Sequence, residues 1–436
     1  MDRITRHLEN LSIAHLMLAL VAMGIAAILM PKKYGMEASL IIAAAWLNLN
    51  RFTNLGPIAS ISKATYWMPV IAIMWFAYTR PGNRNTVPSV AWIYLIAPII
   101  GCICIATTGD RIIGFVQFAN MFLLALTAIL VYRVVDSEES FIRVVGSIFV
   151  GLMVPLGISV LALVFFRAQS FIPGIGRFAP FGINANQLVP ILATVMALAG
   201  CGLIGFKAKA YRIVCMAVIG AGATLLIATA SRQGIIVAAV SMLPAAFWAA
   251  KRPLLLGIMA VVTVGVGVWL FRFTEGAAST DRLTEATTSG RYDNSFVYAS
   301  MIAKRPIGGL LGTKGMSVVV GQEADKIPHN SYVGVAYLGG LLLAAPLAYA
   351  IFKTLTSMYY VLWRRSQVNL QPAVLWTAAS ILGAIYLHGL VNDMIFWSVS
   401  TWTFLHYFLS CFFIGLANQL RENRYSFAAQ QQLRYA

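Results

Sequence analysis

The amino-acid sequence predicts an all-α polytopic membrane protein with about 12 transmembrane helices and a long outer loop containing amphipathic helices. Of its 436 residues, 59% are apolar and only 11% are charged, whereas a soluble domain carries roughly 25% charged residues. Long apolar stretches recur along the chain, and in lipid their backbone groups can be satisfied only within helices or closed barrels. These stretches are longer than the roughly ten alternating residues of a barrel strand, so helices are predicted.

The net charge of +17 would suggest a nucleic-acid partner in a soluble protein. In a membrane protein, the excess of Lys and Arg in inner loops and their attraction to anionic headgroups account for it. Membrane lipids, and no nucleic acid, are therefore the expected partners. The five cysteines all fall within apolar stretches and show no CxxC or Cys/His metal spacing, so we interpret them as small core residues.

Thirteen apolar segments are candidates for transmembrane helices. The first has too long an apolar run for a signal peptide and is taken as an uncleaved span. In chain order the segments cover residues 12–30, 38–50, 64–79, 88–107, 112–134, 141–166, 187–206, 211–230, 233–250, 254–273, 331–362, 372–391 and 395–418.

The side that each loop faces follows from the Lys and Arg residues in short loops. A consistent inner set consists of Arg3, Arg6, Lys207, Lys209, Arg212, Lys251, Arg252, Arg364, Arg365, Arg421 and Arg424. The loop 167–187, the turn 231–233 and the long connection 274–330 then face the opposite, outer side, and the C-terminus lies inside.

Both chain ends inside require an even number of spans, so one of the thirteen segments must not cross. Segment 38–50 is the weakest, because 13 residues at about 1.5 Å each are too short for about 30 Å of hydrocarbon. We interpret it as interfacial or re-entrant and predict twelve spans. This interpretation places Lys32 and Lys33 outside, against the charge rule.

The predicted spans and loops divide the chain into four regions: N-terminal transmembrane helices over 1–166, central transmembrane helices with short outer loops over 167–273, the large outer loop over 274–330, and C-terminal transmembrane helices with a short inner tail over 331–436. A loop of this length is typically functional or disordered. Within it, residues 291–303 have helix-like apolar spacing and predict an amphipathic surface helix, which Pro306 and the following glycines end.

His329 is the histidine expected at a wet outer boundary, directly before the apolar helix that starts near residue 331. An imidazole with its ordinary pKa near ~6.5 can accept a proton from a hydroxyl. The alternative is a purely structural role at a helix start, with Asn330 as the N-cap. Both interpretations stay open on the sequence alone.

Three arginines share the predicted outer side. Arg232 interrupts a long charge-free stretch, which marks either a functional site or a tight turn. Arg177 lies in a loop rich in glycine and asparagine that ends with Asn186, and Arg291 opens the predicted amphipathic helix. Each alone would also fit an interfacial anchor. Three guanidinium groups meeting one histidine would suit an anionic diphosphate, because guanidinium binds phosphate oxygens in a bidentate fork.

The sequence contains no Walker A motif and no metal-ligand spacing of carboxylates near an outer loop. Asp281 and Glu285 are four residues apart, which is more typical of a solvated helix face. Asp393 either orients a site or caps a turn. We therefore predict neither a metal nor a cofactor.

The motifs on the outer side resemble those of the O-antigen ligases. The resemblance rests on Ser231-Arg232 at a helix end, Ser289-Gly290-Arg291 before the loop helix, and His329-Asn330-Ser331-Tyr332 before the last helices, and it covers roughly residues 165–400. The wider superfamily includes O-antigen polymerases and protein O-oligosaccharyltransferases.

The resemblance implies a multi-pass protein of the bacterial inner membrane with its active site on the periplasmic side. It would transfer polysaccharide from an undecaprenyl diphosphate-linked donor to a hydroxyl of the lipid A-core acceptor, without metal or cofactor and with inversion. His329 would be the general base, and Arg232 and Arg291 would be catalytic. Arg177, Asn330 and Asn186 would bind the diphosphate or orient the site.

Other functions remain open from the sequence. An O-antigen polymerase or a protein O-oligosaccharyltransferase would use the same donor with another acceptor. A secondary transporter or a flippase of lipid-linked sugars is a further alternative. Transporters place ionisable residues near the bilayer midplane and show internal repeats, whereas this sequence has its charge at the outer edge and no repeat.

Overall fold

A computed structural model describes residues 34–81, 84–106, 111–173, 176–251, 298–300, 302–307, 330–390, 392, 396 and 399–435. Within these ranges the chain is helical apart from its connections and one isolated antiparallel bridge between Phe171 and Phe178. Eight of the helices are long and apolar enough to cross a membrane. The prediction of an α-helical, multi-pass membrane protein is therefore confirmed, and the number of twelve spans stays a prediction.

Thirteen α-helices lie in the described part of the chain. They are α1 (Gly35–Leu49), α2 (Pro57–Thr65), α3 (Trp67–Thr79), α4 (Ser89–Ala106), α5 (Arg111–Arg133), α6 (Glu138–Phe165), α7 (Arg167–Ser170), α8 (Ala185–Gly205), α9 (Lys209–Ala228), α10 (Arg232–Ala250), α11 (Ser331–Trp363), α12 (Pro372–Gly389) and α13 (Thr401–Tyr435). Short 3₁₀ turns occupy Pro180–Gly182 and Arg365–Gln367.

Most predicted segments agree with helices to within a few residues. Segment 64–79 corresponds to the end of α2 and to α3. Helix α13 continues to Tyr435, well beyond the predicted end at residue 418. The predicted spans 12–30 and 254–273 lie outside the described residues.

The described chain divides into two compact units. Unit 1 comprises Met1–Thr79, Phe141–Thr287 and Gly383–His388. Unit 2 comprises Arg80–Ser140, Thr288–Leu382 and Gly389–Ala436.

Helix α8 forms the centre of unit 1, where it packs against both α9 and α10. Its side chains are buried over most of its circumference, as expected of a helix that is apolar all round. Small residues permit the close approach: a Cβ on Gly200 would meet the Ala245 methyl at 2.8 Å, and one on Gly222 would meet Met196. These contacts fix the ends of α9 and α10, where the predicted site residues lie.

Segment 38–50 forms most of α1, which packs within unit 1. Near its start, Glu37 forms an ion pair with Arg143, an early residue of α6, at 3.8 Å. After its end, the Asn54 amide donates to the carbonyl of Phe181 at 2.8 Å. These contacts tie both ends of α1 to other parts of the unit, and the interpretation of 38–50 as interfacial or re-entrant stays a prediction.

Helix α1 is fifteen residues long, and most of its side chains are buried. It packs against α3 and α6, and the Trp46 indole donates to Thr65 at 2.9 Å. Its side chains therefore contribute to the core of unit 1.

Unit 2 is built around α13. This helix packs against α5 and α11, and α4 packs against α5 and α11. Aromatic rings fill the space between α4 and α13, with the Tyr94 ring centroid 4.9 Å from that of Tyr407 and 5.4 Å from that of His406. All three side chains are fully buried.

Both units expose large apolar side chains that a water-facing surface would not carry. Phe247 in unit 1 is 71% exposed and Trp363 in unit 2 is 73% exposed, and many Ile, Val and Phe side chains of the long helices are similarly open. Contiguous exposed apolar surface marks contact with a partner or with lipid. On helices of this length and composition, it is the surface that faces the acyl chains.

The direction of α1 can be tested with single cysteines at its two ends. We expect Asn54→Cys to react with a membrane-impermeant maleimide from the outer side of right-side-out vesicles. Tyr34→Cys, at an exposed side chain before α1, should react from the same side, as the interfacial or re-entrant interpretation requires. Labelling of Tyr34→Cys only after permeabilisation would show that α1 crosses the membrane.

Candidate functional site

The candidate site in unit 1 begins with the turn that carries Arg177. The Ile172 amide donates to the Arg177 carbonyl at 2.9 Å, and Phe171 pairs with Phe178 in the isolated bridge, so residues 171–173 and 176–178 pair as a small hairpin. Gly176 supplies the positive φ of 63° that this turn requires. The buried Phe178 ring holds the hairpin in the unit.

The hairpin caps the C-terminal end of α9. The last carbonyls of a helix lack partners within the helix. Here the Phe178 amide donates to the Ala228 carbonyl at 2.9 Å, and the Arg177 Nε–H donates to the Thr229 carbonyl at 3.0 Å. The negative end of the helix dipole also favours a cation at this position. The capping of α9 therefore explains why an arginine is found at position 177.

Asn186, in the first turn of α8, joins this hairpin to α10. Its Oδ1 accepts one hydrogen bond from Arg177 Nη2 at 2.9 Å and one from the Ser231 hydroxyl at 3.3 Å. Asn184 caps the same helix by accepting from the Asn186 amide at 2.9 Å. The structure thus brings together two predicted site residues, Arg177 and Asn186, through a direct hydrogen bond.

Arg232 is the first residue of α10, directly after the N-cap Ser231. The Ser231 side chain accepts from the Gly234 amide at 3.3 Å. Before it, Ala230 has a positive φ of 48°, which is unusual for a residue with a Cβ and is found where the surroundings impose it. The sharp turn between α9 and α10 therefore sets the direction of the Arg232 backbone.

The electrostatic setting of Arg232 is opposite to that of Arg177. The N-terminus of a helix carries a partial positive charge and favours anions. The first turn of α10 contains no acidic residue, so Arg232 adds a second positive charge to a positive helix end. This combination is locally unfavourable by roughly 0.3–1 kcal/mol. The functional role and the turn role of Arg232 both stay predictions.

Asn330 belongs to unit 2, where it is the N-cap of α11. Its Oδ1 accepts from the amides of Tyr332 and Val333, and its Nδ2 donates to the carbonyl of Leu390 at 2.9 Å. The following Ser331 hydroxyl donates to the Asn392 carbonyl at 2.7 Å. The predicted N-cap role of Asn330 is confirmed, and its side chain also ties the start of α11 to the chain after α12.

His329, Arg291, Asp281, Glu285 and Asp393 lie outside the described residues, so their predicted roles stay predictions. Of the large outer loop, Tyr298–Ser300 and the residues 302–304 are helical, which agrees with the predicted helix over 291–303 where it is described.

A cavity of about 490 Å³ lies in unit 2, and none of the described residues of the predicted site lines it. Its polar lining includes Asp136, Glu138 and Glu139. Ser137 and Ser140 exchange capping hydrogen bonds at the start of α6, and acidic residues in a first turn complement the helix dipole. These carboxylates therefore have a local structural explanation. Among the described residues, no group of three or more His, Cys, Asp or Glu side chains could hold a metal ion.

The sequence did not indicate the parts played by Thr229 and Ala230. The first contributes only a carbonyl and the second only a backbone angle, and neither leaves a signature in residue type. The capping roles of Ser231 and Asn184 could have been predicted, because each directly precedes an apolar helix.

Comparison with known proteins gives no family for this chain: no protein-family model matches it, and no curated protein matches it.

The link through Asn186 can be tested by its removal. We expect Asn186→Ala to lower the free energy of unfolding by about 1–2 kcal/mol, because it deprives the Arg177 guanidinium and the Ser231 hydroxyl of their common acceptor. Gln187→Ala, one residue further on, is the matched control and should change stability by less than about 0.5 kcal/mol. Thermal unfolding of the purified protein in detergent gives both values, and equal transitions for the two variants would contradict the link.

Proposed function

We propose that this protein is an O-antigen ligase that transfers polysaccharide from undecaprenyl diphosphate to a hydroxyl of the lipid A-core at the periplasmic face of the bacterial inner membrane. The observation that carries the proposal is Arg232 at the N-terminus of α10, with Ser231, Asn186 and Arg177 fixing the turn before it. A guanidinium at the positive end of a helix suits the diphosphate of a lipid-linked donor.

The two described arginines have different parts in this proposal. Arg232 binds the diphosphate and stabilises the negative charge that develops on the leaving group, which is often the largest single contribution to catalysis. Arg177 adds positive charge near the same turn, but two of its nitrogens are held by Thr229 and Asn186. Its main contribution is to keep Ser231 and Arg232 in place.

The proposed reaction is a direct displacement. His329 accepts the proton of the acceptor hydroxyl, whose oxygen forms a bond to the anomeric carbon of the donor sugar. The bond from that carbon to the diphosphate breaks, and the electron pair leaves with undecaprenyl diphosphate, which Arg232 and Arg291 stabilise. Attack from the face opposite to the leaving group inverts the anomeric carbon. Cleavage of the activated bond supplies the energy, so no nucleotide is consumed.

A membrane-embedded donor also fits the surroundings of Arg232. The helices that end near this turn carry exposed apolar side chains, among them Phe165 of α6 and Ile235 and Ile236 of α10. Such surface can accept the polyprenyl tail in the bilayer while the diphosphate remains at the boundary, because the tail is as apolar as the lipid.

The acceptor distinguishes a ligase from a polymerase. Expression in a ligase-deficient strain should convert accumulated lipid-linked polymer and bare core into polymer-bearing lipid A-core. If expression restored only a polymerase-deficient strain, in which the core carries a single unit, the protein would be a polymerase and not a ligase.

Arg232→Lys tests whether the fork of the guanidinium matters. Lysine keeps the charge but loses the planar pair of donors, so the transfer rate with purified lipid-linked donor and core acceptor should fall about 100-fold. Arg212→Lys is the control, because Arg212 bonds the Phe206 carbonyl at the other end of α9; it should retain wild-type activity. Wild-type turnover by Arg232→Lys would reduce Arg232 to a turn residue.

The proposed base predicts a pH dependence. A general base must be neutral to accept a proton, so the transfer rate should fall in acid as the imidazole becomes protonated. His329→Ala should abolish transfer and remove this dependence from any residual rate, with the protein still present in the membrane. An unchanged acid limb in His329→Ala would assign the titration to another group.

A further inference from the structure

Helix α11 is broken at Gly340, within its membrane-spanning part. The backbone of Gly340 has φ 56° and ψ −151°, which separates a first segment, residues 331–339, from a second segment, residues 341–363. The second segment therefore begins with amide groups that have no acceptor within the helix. In lipid such groups must be satisfied by other protein groups.

The outer loop satisfies these amides. The Leu341 amide donates to the carbonyl of Pro306 at 2.7 Å, and the Leu342 amide donates to the carbonyl of Ile307 at 3.1 Å. A Cβ at position 340 would lie 2.7 Å from the Pro306 oxygen and closer still to the Ile307 carbonyl. Only glycine combines this backbone angle with so close an approach of two carbonyl groups.

Aromatic packing secures the same loop segment one turn before the break. The ring of Tyr298 meets the ring of Tyr337 edge to face, with centroids 5.0 Å apart. Both side chains are buried, at 3% and 5% exposure respectively. Burial raises the pKa of the Tyr298 hydroxyl. Among the described groups, the Tyr337 hydroxyl has no hydrogen-bond partner, so this contact depends on the rings.

We infer that the Gly340 break is a docking joint, which fixes residues 298–307 of the outer loop to α11 and so positions the loop for the reaction. The chain leaves the joint at Ile307 and returns to α11 at Asn330, whose side chain is fixed by its own capping bonds. These two anchors are ten residues apart on one helix, or about 15 Å.

The positioning part of this inference rests on the proposed function, because residue 329 is the proposed base and directly precedes the second anchor. Gly340, Tyr298 and Tyr337 are accordingly positioning residues that act through the loop. The docking part rests on the backbone hydrogen bonds and ring contact alone.

Gly340→Ala in the full-length protein is the principal test. The added methyl group should displace the Pro306 and Ile307 carbonyls and release the loop. We expect hydrogen–deuterium exchange to rise about tenfold in peptides that cover 341–342, because the Leu341 and Leu342 amides lose their acceptors. Exchange in 298–307 should also rise because the released segment opens, while peptides from 350–363 keep their protection. The transfer rate should fall with little change in KM for the donor. Gly157→Ala in α6 has open space for its methyl group and should behave as wild type.

A second pair of variants keeps the glycine and changes the ring contact. Tyr337→Ala should raise exchange in 298–307 and lower the transfer rate, whereas Tyr337→Phe keeps the ring, loses no hydrogen bond and should match wild type. If Gly340→Ala does not accumulate in the membrane, this pair decides the question.

Three outcomes count against the inference. Equal exchange of 298–307 in wild type, Gly340→Ala and Tyr337→Ala would show that the loop is not docked. Raised exchange with unchanged transfer would overturn the positioning role. Loss of activity in Tyr337→Phe equal to that in Tyr337→Ala would assign the effect to the hydroxyl group. If the wild-type protein has no transferase activity, the proposed function is wrong. The comparison of hydrogen–deuterium exchange still tests whether the loop segment is docked on α11.

Discussion

The unpaired backbone groups at helix ends are the constraint on which the rest of this structure depends. A membrane helix satisfies its interior groups by itself, but its first amides and last carbonyls need partners from elsewhere. The Arg177 side chain supplies a donor at the end of α9, and Asn330 supplies an acceptor at the start of α11. In unit 2, Asn85 donates to the carbonyls of Tyr132 and Val135 at the end of α5. Polar residues that stand out in so apolar a sequence are therefore used first for capping.

The same constraint separates residues that the sequence presents as alike. Arg177 and Arg232 are both isolated arginines in predicted outer turns, and the sequence presents them as equal members of a phosphate site. Arg177 lies at the negative end of α9 and completes its capping. Arg232 lies at the positive end of α10, where capping is already provided by Ser231. The proposed function gives a reason for a charge that the local structure at Arg232 does not favour.

Helix breaks extend this logic into the membrane. The break at Gly340 leaves amides without partners inside a long apolar helix. Loop carbonyls accept the hydrogen bonds that carbonyls of the previous helical turn would otherwise accept. Glycine is one of the few signals in the sequence that could have indicated the break. Hydropathy presents it only as part of an apolar run, because hydropathy does not report backbone angles. The predicted helix over 331–362 agrees with α11 in extent, but the prediction did not include the break at Gly340.

The sequence by itself determined the class of protein, the position of most helices and the N-cap at Asn330, because apolar length and capping residues are local properties of the chain. The tertiary structure decided that neighbours such as α3 and α6 cover the short helix α1, and hydropathy cannot detect such cover. It also decided which polar residues meet: the hydrogen bond from Arg177 to Asn186 and the approach of Pro306 to Leu341 depend on how the helices pack. Contacts between residues far apart in the chain arise from packing, and no local pattern encodes them.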